Sequence, residues 1–493
     1  MSVNFGLDIK KNKGILRGDH FDAIREHFSY ENQGARHARR RGSYAVHRKH
    51  MITPAGRFDL GLYFEIRKMV DKQYPDTRIT QDERFNNAIL PKYEFTANMN
   101  RLILAGREYQ SDIVERLLKI GRGIAVLGTG GGKTLTMAYL IQTIYDNWQD
   151  KSSFRCLIIV PDLGLKNQTY DDFNEYGVSF LTSKWEGKSI PGTPVTIANM
   201  GILQSKKSDV SWLEHVDLLI VDEVHKLRKD NKINKLLDRC RTNNRFGFTG
   251  TEAEKHEDRW NAIGKIGPVL YEKNTYSLRK EKYLTNAKVQ IIKLDYTKQP
   301  DPVPKAERNN PTAKYQKEIE FVQNSEFRNN IIGRLARNFD NNALIMVDRI
   351  QHGQKVYDEV VKKCPDKKVF FVRGDVDVEQ RDRIKALMER DTNIVVIAIS
   401  KIFSTGINIK NLHYVVFASG GKAKVTIIQA IGRGLRLHEN KDLLIIIDIA
   451  DILKYGYDHM QKRIKLYKKE RIEYGITTIK ESSGKKAGQK KKS

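Results

Sequence analysis

A glycine-rich loop is the stretch of this sequence best suited to chemistry. Residues 128–134 are Gly128, Thr129, Gly130, Gly131, Gly132, Lys133 and Thr134. Such a loop can point several backbone N–H groups at one phosphate, while the lysine adds a full positive charge and the final hydroxyl can bind Mg²⁺. The usual phosphate-loop pattern has a glycine where this chain has Leu127. Taken alone, the loop could also be a flexible turn between a strand and a helix.

Two adjacent carboxylates, Asp222 and Glu223, follow an apolar run in the same half of the chain. Burying such a pair is costly unless something uses it. In an enzyme with a phosphate loop, Asp222 would hold hydrated Mg²⁺ and Glu223 would polarise the attacking water. An isolated pair could equally cap a helix or face solvent in a turn. The glycine loop upstream favours catalysis, and the hydroxyls of Thr249 and Thr251 are placed to sense these carboxylates.

Two arginines in the second half of the chain, Arg433 and Arg436, are three residues apart. On a helix they would share a face and could converge on one anion, although most such pairs lie on a solvated face. Together with the glycine loop they suggest that a nucleotide binds between two domains. The sequence therefore predicts ATP and Mg²⁺ as cofactors, with Thr134 and Asp222 as metal ligands.

Short apolar runs that alternate with helical patterns are predicted to position these residues. This alternation predicts an α/β fold with two tandem parallel sheets and with the chemistry at the carboxyl ends of the strands. A helix is expected from about residue 107, and a proline-punctuated exposed excursion between about 271 and 325. The predicted strands are 123–127, 156–160, 195–199, 216–221 and 246–248 in the first series, and 343–347, 369–372, 394–399, 414–418 and 443–447 in the second.

The two ends of the chain differ from this pattern. Residues 1–95 are predicted to form a small α+β domain with helices at 21–28 and 60–70. Between those helices lies a basic segment with an aromatic residue, which is either a phosphate-tracking surface or a solvated loop; it contains Arg39, Arg40 and Arg41. The Lys-rich composition after about residue 458 predicts disorder. The expected divisions are thus 1–95, 96–280, 281–458 and 459–493.

The net charge of the 493-residue chain is +27, which favours a polyanionic partner, and nucleic acid is the obvious one. No apolar run approaches the roughly 18 residues of a membrane span, and residues near the N-terminus lack the apolar region of a signal peptide. We therefore expect a soluble cytoplasmic protein with no membrane partner. The three cysteines show no metal-ligand spacing and are expected to be plain thiols.

In combination, these motifs resemble those of the superfamily 2 helicases, and their layout is similar to the UvsW-type branched-DNA helicases of bacteriophages. The resemblance covers nearly the whole chain. It implies an adenine-reading motif at Arg107 and Gln110 and contacts with the nucleic-acid backbone near Pro161 and Asn199. It also implies nucleotide contacts from the second domain, at Gly406, Asn408 and Gln429. Many relatives carry an acidic residue near Asn408, so this chain departs from the pattern there.

The resemblance further implies two RecA-like domains and ATP-driven movement along DNA, with Arg433 and Arg436 as arginine fingers. The implied substrate is branched or forked DNA in phage replication, recombination or repair. The implied setting is the host cytoplasm, where a monomer would act, and the implied protein partners are replication or recombination proteins. Composition does not separate DNA from RNA, so an RNA helicase on the same motor stays an alternative. A non-enzymatic scaffold that binds nucleic acid by charge alone is a second one.

Overall fold

The computed structural model describes residues 1–32, 47–89, 93–296, 302–304, 309–374, 378–400, 409–419, 431–432 and 434–481. Seven residues that the sequence singles out lie outside this part of the chain: Arg39, Arg40, Arg41, Gly406, Asn408, Gln429 and Arg433. Two compact units form, one from residues 1–128 and 132–274, and the other from 129–131 and the described residues from 275 onward. Within the described part, no helix has both the length and the apolar character needed to cross a membrane.

The N-terminal region is α+β, as predicted. Its four-stranded sheet has the order β5-β2-β1-β6, with strands β1 (Ser2–Asp8), β2 (Lys13–Gly18), β5 (Arg57–Phe58) and β6 (Arg78–Gln81). Three α-helices accompany it, Phe21–His27, Tyr63–Gln73 and Glu83–Ile89, with a 3₁₀ turn at Leu60–Leu62. A separate ribbon pairs β3 (Ser29–Glu31) with β4 (Arg48–His50). The core is aromatic, because the Phe5 ring packs against Phe58, Tyr63 and Phe85.

This N-terminal region packs closely on the domain that follows it within the first unit. The buried Lys265 ammonium lies 3.0 Å from an Asp59 carboxylate oxygen and 2.6 Å from Asp238, and Lys13 pairs with both carboxylates. The rings of Phe28 and Trp260 are 5.2 Å apart. A four-residue cluster of alternating charges and an aromatic contact therefore hold the N-terminal sheet in the same compact unit as the first large sheet.

The first large sheet, together with its helices, is called the first lobe (residues 107–274). All seven strands are parallel, in the order β13-β7-β12-β11-β8-β10-β9. They are β7 (Arg122–Leu127), β8 (Cys156–Val160), β9 (Thr182–Lys184), β10 (Val195–Asn199), β11 (Leu218–Asp222), β12 (Arg245–Thr249) and β13 (Val269–Lys273). Its helices are Glu108–Ile120, Lys133–Asp146, Leu163–Tyr176, Met200–Leu203, Ile233–Leu237 and His256–Lys265, with 3₁₀ turns at Ser211–His215 and Val224–Lys226.

The second lobe comprises the described residues from 275 onward, and its sheet is also parallel, in the order β16-β17-β15-β18-β19-β14-β20. The strands are β14 (Asn286–Asp295), β15 (Ala343–Val347), β16 (Lys368–Val372), β17 (Ile394–Ile399), β18 (Tyr414–Phe417), β19 (Leu443–Asp451) and β20 (Glu473–Lys480). The helices are Thr275–Lys280, Pro311–Asn324, Glu326–Arg337, Ile350–Lys363, Val378–Arg390 and Lys454–Lys469. Every strand predicted from an apolar run is present, with ends shifted by a few residues.

Two sequence-based expectations about the chain from residue 271 onward are wrong. The excursion at 271–325 contains β13, β14 and the helix Pro311–Asn324. The segment expected to be disordered after residue 458 is ordered as far as residue 481, because the helix Lys454–Lys469 continues and β20 pairs with β14. The rest of that segment, residues 482–493, lies outside the described residues. The lysines of that helix obscured its buried face, on which Arg463 donates to Asp448 over 2.8 Å and the Tyr467 hydroxyl donates to the same carboxylate over 2.9 Å.

Candidate nucleotide-binding site

The glycine loop joins a buried strand to a helix, as the sequence predicts. All residues of β7 are buried, and the following helix begins at Lys133 with Gly132 as its N-cap. Gly130 and Gly132 have φ angles of 84° and 76°, in the left-handed region that disfavours other residues. A side chain at Gly132 would also place its Cβ 2.7 Å from Gln110 Nε2. Backbone conformation and space therefore both require glycine at this position.

Gln110 connects the start of an earlier helix directly to this loop. Its side chain is 1% exposed, and its Nε2 group donates to Gly132 O and to Thr136 Oγ1, each over 3.2 Å. Its Oε1 atom accepts from the backbone N–H of Arg107 over 2.9 Å, completing a capping box at the start of the helix Glu108–Ile120. The Arg107 guanidinium donates to the Tyr109 hydroxyl. The structure thus brings Gln110 against the phosphate loop and joins it to the Arg107 backbone, while contact of either residue with adenine stays a prediction.

Asp222 and Glu223 lie at the end of β11 and are 5% and 8% exposed. The Asp222 Oδ1 atom accepts from the Glu223 backbone N–H over 2.9 Å. Glu223 has a φ angle of 52°, a left-handed conformation that is strained for a residue with a side chain and that is concentrated at functional sites. This turn brings Glu223 Oε1 to 3.5 Å from the Lys133 ammonium. The residue pair predicted from sequence is therefore joined to the phosphate loop.

The two carboxyl groups have pKa values shifted in opposite directions. Burial and the neighbouring Glu223 carboxylate raise the pKa of Asp222 above its ordinary value, and the charge of Lys133 offsets only part of this rise. Burial alone would raise the pKa of Glu223 as well, but the Lys133 ammonium and a hydrogen bond from His225 lower it below its ordinary value. Glu223 is thus a stable carboxylate, whereas the charged form of Asp222 is only partly compensated.

Hydrogen bonds also connect the acidic pair to β12, the neighbouring strand. Since β12 lies between β7 and β11, its last residue, Thr249, stands between the phosphate loop and the acidic pair. His225 Nδ1 lies 2.8 Å from Thr249 Oγ1 and 3.2 Å from Glu223 Oε2. Thr249 Oγ1 donates to the backbone oxygen of Thr251 over 2.8 Å. Thr249 Oγ1 also lies 3.4 Å from Glu223 Oε2, which agrees with the prediction that this hydroxyl senses the carboxylates, whereas Thr251 contacts Thr249 through its backbone.

His225 is the functional candidate that the sequence reasoning did not assign. Its side chain is 16% exposed and contacts both Glu223 and Thr249. A change in the charge or position of Glu223 can therefore affect the end of β12 through His225. The available signal was its position two residues after Glu223, in the 3₁₀ turn that leaves the strand.

The predicted nucleic-acid contacts of the first lobe lie at the carboxyl ends of two neighbouring strands. Pro161 follows β8 and is half-buried, while Asn199 ends β10 and is 5% exposed. The Asn199 Oδ1 atom accepts from the Ile202 backbone N–H over 2.7 Å and caps the helix Met200–Leu203. A capping role therefore occupies this side-chain oxygen, and contact of either residue with nucleic acid stays a prediction.

Arg436 lies in the second lobe and is half-buried. It lies in a bend two residues after the helical residue Gly434, whereas Arg433 lies outside the described residues. The Arg436 carbonyl accepts from the Thr285 hydroxyl over 3.3 Å. The shared helix face and the role of Arg436 therefore stay predictions.

Comparisons with known proteins agree with this site and fold. Residues 103–254 match the family "Type III restriction enzyme, res subunit", and residues 325–438 match the family "Helicase conserved C-terminal domain". The chain is 28% identical over 508 residues to the ATP-dependent DNA helicase uvsW of Enterobacteria phage T4, covering 93% of this chain and 95% of that protein.

Two less similar proteins match this chain over only part of their own length. The chain is 22% identical to the Type I restriction enzyme EcoAI endonuclease subunit of Escherichia coli, covering 68% of this chain and 44% of that protein. The structure of the ATP-dependent Type ISP restriction-modification enzyme LlaBIII bound to DNA has the same fold, with a TM-score of 0.53 at 15% identity, covering 86% of this chain and 34% of that one. The first lobe carries the phosphate loop, the acidic pair and the Thr249 contact in the order of the helicase motifs. The chain therefore belongs to the ATP-dependent helicases of superfamily 2 and resembles the UvsW type.

Proposed function

We propose that the protein couples ATP hydrolysis to movement along DNA and thereby unwinds or branch-migrates forked and branched molecules. The observation that carries this proposal is the set of contacts among Lys133, Glu223, His225 and Thr249 at the carboxyl ends of parallel strands. These contacts, none longer than 3.5 Å, connect a phosphate loop to a charged carboxylate and then to a sensor hydroxyl.

The residues of the first lobe fit Mg²⁺ together with ATP. Asp222 is a buried carboxyl with a raised pKa, and the residue that follows Lys133 at the start of the helix is Thr134, so the donor set is the hard oxygen chemistry that Mg²⁺ prefers. The described residues contain no group of three or more His, Cys, Asp or Glu able to hold a metal by themselves. Phosphate oxygens would therefore complete the coordination. Bound Mg²⁺ would neutralise charge on the phosphates.

Each side chain then has a distinct role in hydrolysis. Lys133 holds the β- and γ-phosphates, and Glu223 accepts a proton from the attacking water. Arg433 and Arg436 act as arginine fingers from the second lobe, so that turnover requires both lobes. In this proposal Arg107 and Gln110 recognise adenine, and Gly406, Asn408 and Gln429 contact the nucleotide.

The charge of the chain supports a nucleic acid as the partner, and the similarity to a named DNA helicase supports DNA. The chain has a net charge of +27, which favours contact with phosphates independent of sequence. Its relative from phage T4 is named a DNA helicase, and the similarity covers nearly all of both chains. The basic segment that includes Arg39, Arg40 and Arg41 would select branched over plain duplex DNA. Roles in phage replication, recombination or repair, action as a monomer and a cytoplasmic location belong to the same proposal.

The deciding experiment measures ATP hydrolysis with matched nucleic acids. Plain duplex, forked DNA, a four-way junction, single-stranded DNA and an RNA duplex would be compared at one salt concentration, with unwinding followed in parallel with ATP and with a non-hydrolysable analogue. The proposal predicts the strongest stimulation by branched DNA and unwinding only with ATP. Preferential stimulation by RNA would instead support an RNA helicase, and absence of turnover with every ligand would support a non-enzymatic scaffold.

A further inference from the structure

A cavity of about 280 Å³ opens in the second lobe at the carboxyl ends of three strands. Its floor includes Asp348 after β15, Ser419 after β18 and Asp451 at the end of β19. Strands β15 and β18 are neighbours in the sheet. The two strands that follow β15 in the chain, β16 and β17, lie on one side of it, and the next two, β18 and β19, lie on its other side. The cavity therefore lies at the switch point of the sheet, where open parallel sheets bind their ligands.

Two helices outside the sheet build the walls of this cavity. The helix Pro311–Asn324 contributes Tyr315, and the helix Lys454–Lys469 contributes Tyr455 and His459. The Tyr315 ring meets Tyr455 edge to face at 5.2 Å and His459 at 5.9 Å. Tyr315 is nevertheless 37% exposed, so part of its ring stays available to a planar ligand.

The charges around the cavity do not favour a phosphate. Glu318 is buried, and its carboxylate accepts from the Tyr455 backbone N–H over 2.9 Å. Asp451 is neutralised by Arg328 at 2.9 Å, and burial together with Arg328 lowers the pKa of His352 to about 3, so that this imidazole is neutral near pH 7. Asp348, Glu318 and one guanidinium, Arg349, remain at the cavity. Two carboxylates against one cation would repel an anion.

A neighbouring strand holds one edge of the cavity in place. The Ser400 hydroxyl, just after β17, donates to the backbone oxygen of Val347 at the end of β15 over 3.1 Å. Val347 directly precedes Asp348, so this hydrogen bond fixes the strand end that carries a cavity residue.

We propose that this cavity receives one unstacked nucleobase of the DNA strand along which the motor moves. The inference rests on the proposed function and adds a base-binding site to its contacts with the backbone. The Tyr315 ring would stack on the base, and Ser419, Gln323 and Asp348 supply donors and acceptors for its edge. A volume just below the range of drug-sized pockets suits one base and excludes a base pair.

The test is an abasic scan of a single-stranded oligodeoxynucleotide of about ten nucleotides, within the usual site size of such proteins. Each nucleotide in turn is replaced by an abasic one, and the Kd for the full-length protein is measured without ATP. A base pocket predicts a loss of about 5- to 100-fold at one position or at two adjacent ones, the range expected for loss of a stacked base. A flat scan overturns the proposal.

Variants of Tyr315 locate the effect. Tyr315→Ala should weaken binding of the intact oligonucleotide by a similar factor and remove the positional dependence, whereas Tyr315→Phe should retain both. The matched control is Tyr457→Ala, because Tyr457 lies on the same helix as Tyr455, is 43% exposed and does not line the cavity. If Tyr315→Ala keeps the wild-type positional dependence, the cavity is not the base site.

Two further measurements separate the possible outcomes. In a second experiment, free thymidine is titrated into the protein. If thymidine binds at the cavity while the abasic scan is flat, the cavity binds a free nucleoside and not a base of the DNA strand, which contradicts the proposal. Stimulation of wild-type ATP hydrolysis by the same oligonucleotide tests the proposed function independently. No stimulation contradicts the motor itself, whereas stimulation with a flat scan contradicts the base site alone.

Discussion

The two large sheets share an architecture but treat buried charge differently. Each has seven parallel strands, and each has acidic residues at the carboxyl ends of its central strands. In the second sheet Asp451 is neutralised by Arg328 at 2.9 Å, and Asp448 accepts from Arg463 and Tyr467. In the first sheet Glu223 has Lys133 at 3.5 Å, but the pKa of Asp222 is raised because the lysine offsets only part of the cost of burial.

This difference indicates where the chemistry lies. A buried carboxylate that is paired with a guanidinium has the cost of burying its charge offset and serves a structural role. A buried carboxylate whose charge is only partly offset becomes fully stable in its charged form when a ligand brings a cation. The same scaffold can thus build a reactive edge in the first lobe and an edge whose buried carboxylates are paired in the second. Fold alone does not separate these roles, and the residues at the strand ends do.

The largest effect is expected from Lys133→Ala, which removes the only lysine of the phosphate loop. ATP hydrolysis should be abolished because the charge that holds the β- and γ-phosphates is gone, while DNA binding should stay nearly intact because the basic surface is unchanged. Steady-state hydrolysis and filter binding would measure the two. Lys207→Ala, at an exposed lysine of the same lobe, is the control. Wild-type turnover in Lys133→Ala would show that the loop does not bind phosphate.

The next effect tests whether the second lobe contributes to catalysis. Arg433→Ala and Arg436→Ala should each lower the turnover number by about a thousandfold or more, as arginine fingers do, with smaller changes in ATP affinity. Turnover and nucleotide binding would be measured separately. The control is Arg337→Ala, at an exposed arginine of the same lobe. Unchanged turnover in both finger variants would confine the chemistry to the first lobe.

Glu223→Gln should reduce turnover by about 10²- to 10⁴-fold while ATP and Mg²⁺ still bind. The amide keeps the shape of the side chain but cannot accept a proton from water. Single-turnover hydrolysis and equilibrium ATP binding distinguish these steps, and Glu252→Gln, at a half-exposed glutamate of the same lobe, serves as the matched control. An equal reduction of ATP affinity and of turnover would indicate a folding defect and not a missing base.

A smaller effect should appear in the dependence of Mg²⁺ activation on pH. Because the pKa of Asp222 is raised, the protonated carboxyl competes with the metal as pH falls, so Mg²⁺ affinity should weaken towards acid. The concentration of Mg²⁺ that half-activates hydrolysis should rise by up to about tenfold per pH unit between roughly pH 8 and pH 6. Asp222→Asn should remove most of this dependence. A pH-independent requirement for Mg²⁺ would exclude Asp222 as its ligand.

The smallest change concerns the basic segment of the N-terminal region. Neutralising Arg39, Arg40 and Arg41 together should weaken preference for forked DNA and make the salt dependence of binding shallower, by roughly one unit of log–log slope for each phosphate that is no longer neutralised. Titrations of forked and plain duplex DNA at several salt concentrations measure both quantities. Unchanged affinity and slope would mean that the segment is a solvated loop. Deleting residues 1–95 is a poorer test, since it would expose Trp260 and leave Lys265 without Asp59.

Local pattern in the sequence was sufficient for much of this protein. The apolar runs predicted the central strands, because parallel strands buried on both faces are continuously apolar. The loop at 128–134 and the pair Asp222 and Glu223 could be assigned because each chemical role needs fixed residue types beside a strand end. The prediction failed for the helix Lys454–Lys469, where lysines on the exposed face dominate the composition, and for β14, which lies in a mixed polar stretch.

Only the tertiary structure decided the contacts between residues distant in the chain. The hydrogen bonds of Gln110 to the phosphate loop and of His225 to Thr249 join segments about two dozen residues apart, and sequence periodicity carries no information about such pairs. The cluster of Lys13, Asp59, Asp238 and Lys265 likewise unites residues more than 200 positions apart and fixes the N-terminal sheet in the first unit. Residue types determined which chemistry was possible, whereas packing determined which buried carboxylate is fully paired with a cation. The reason is that charge balance in a buried site depends on distances in space and not on separation along the chain.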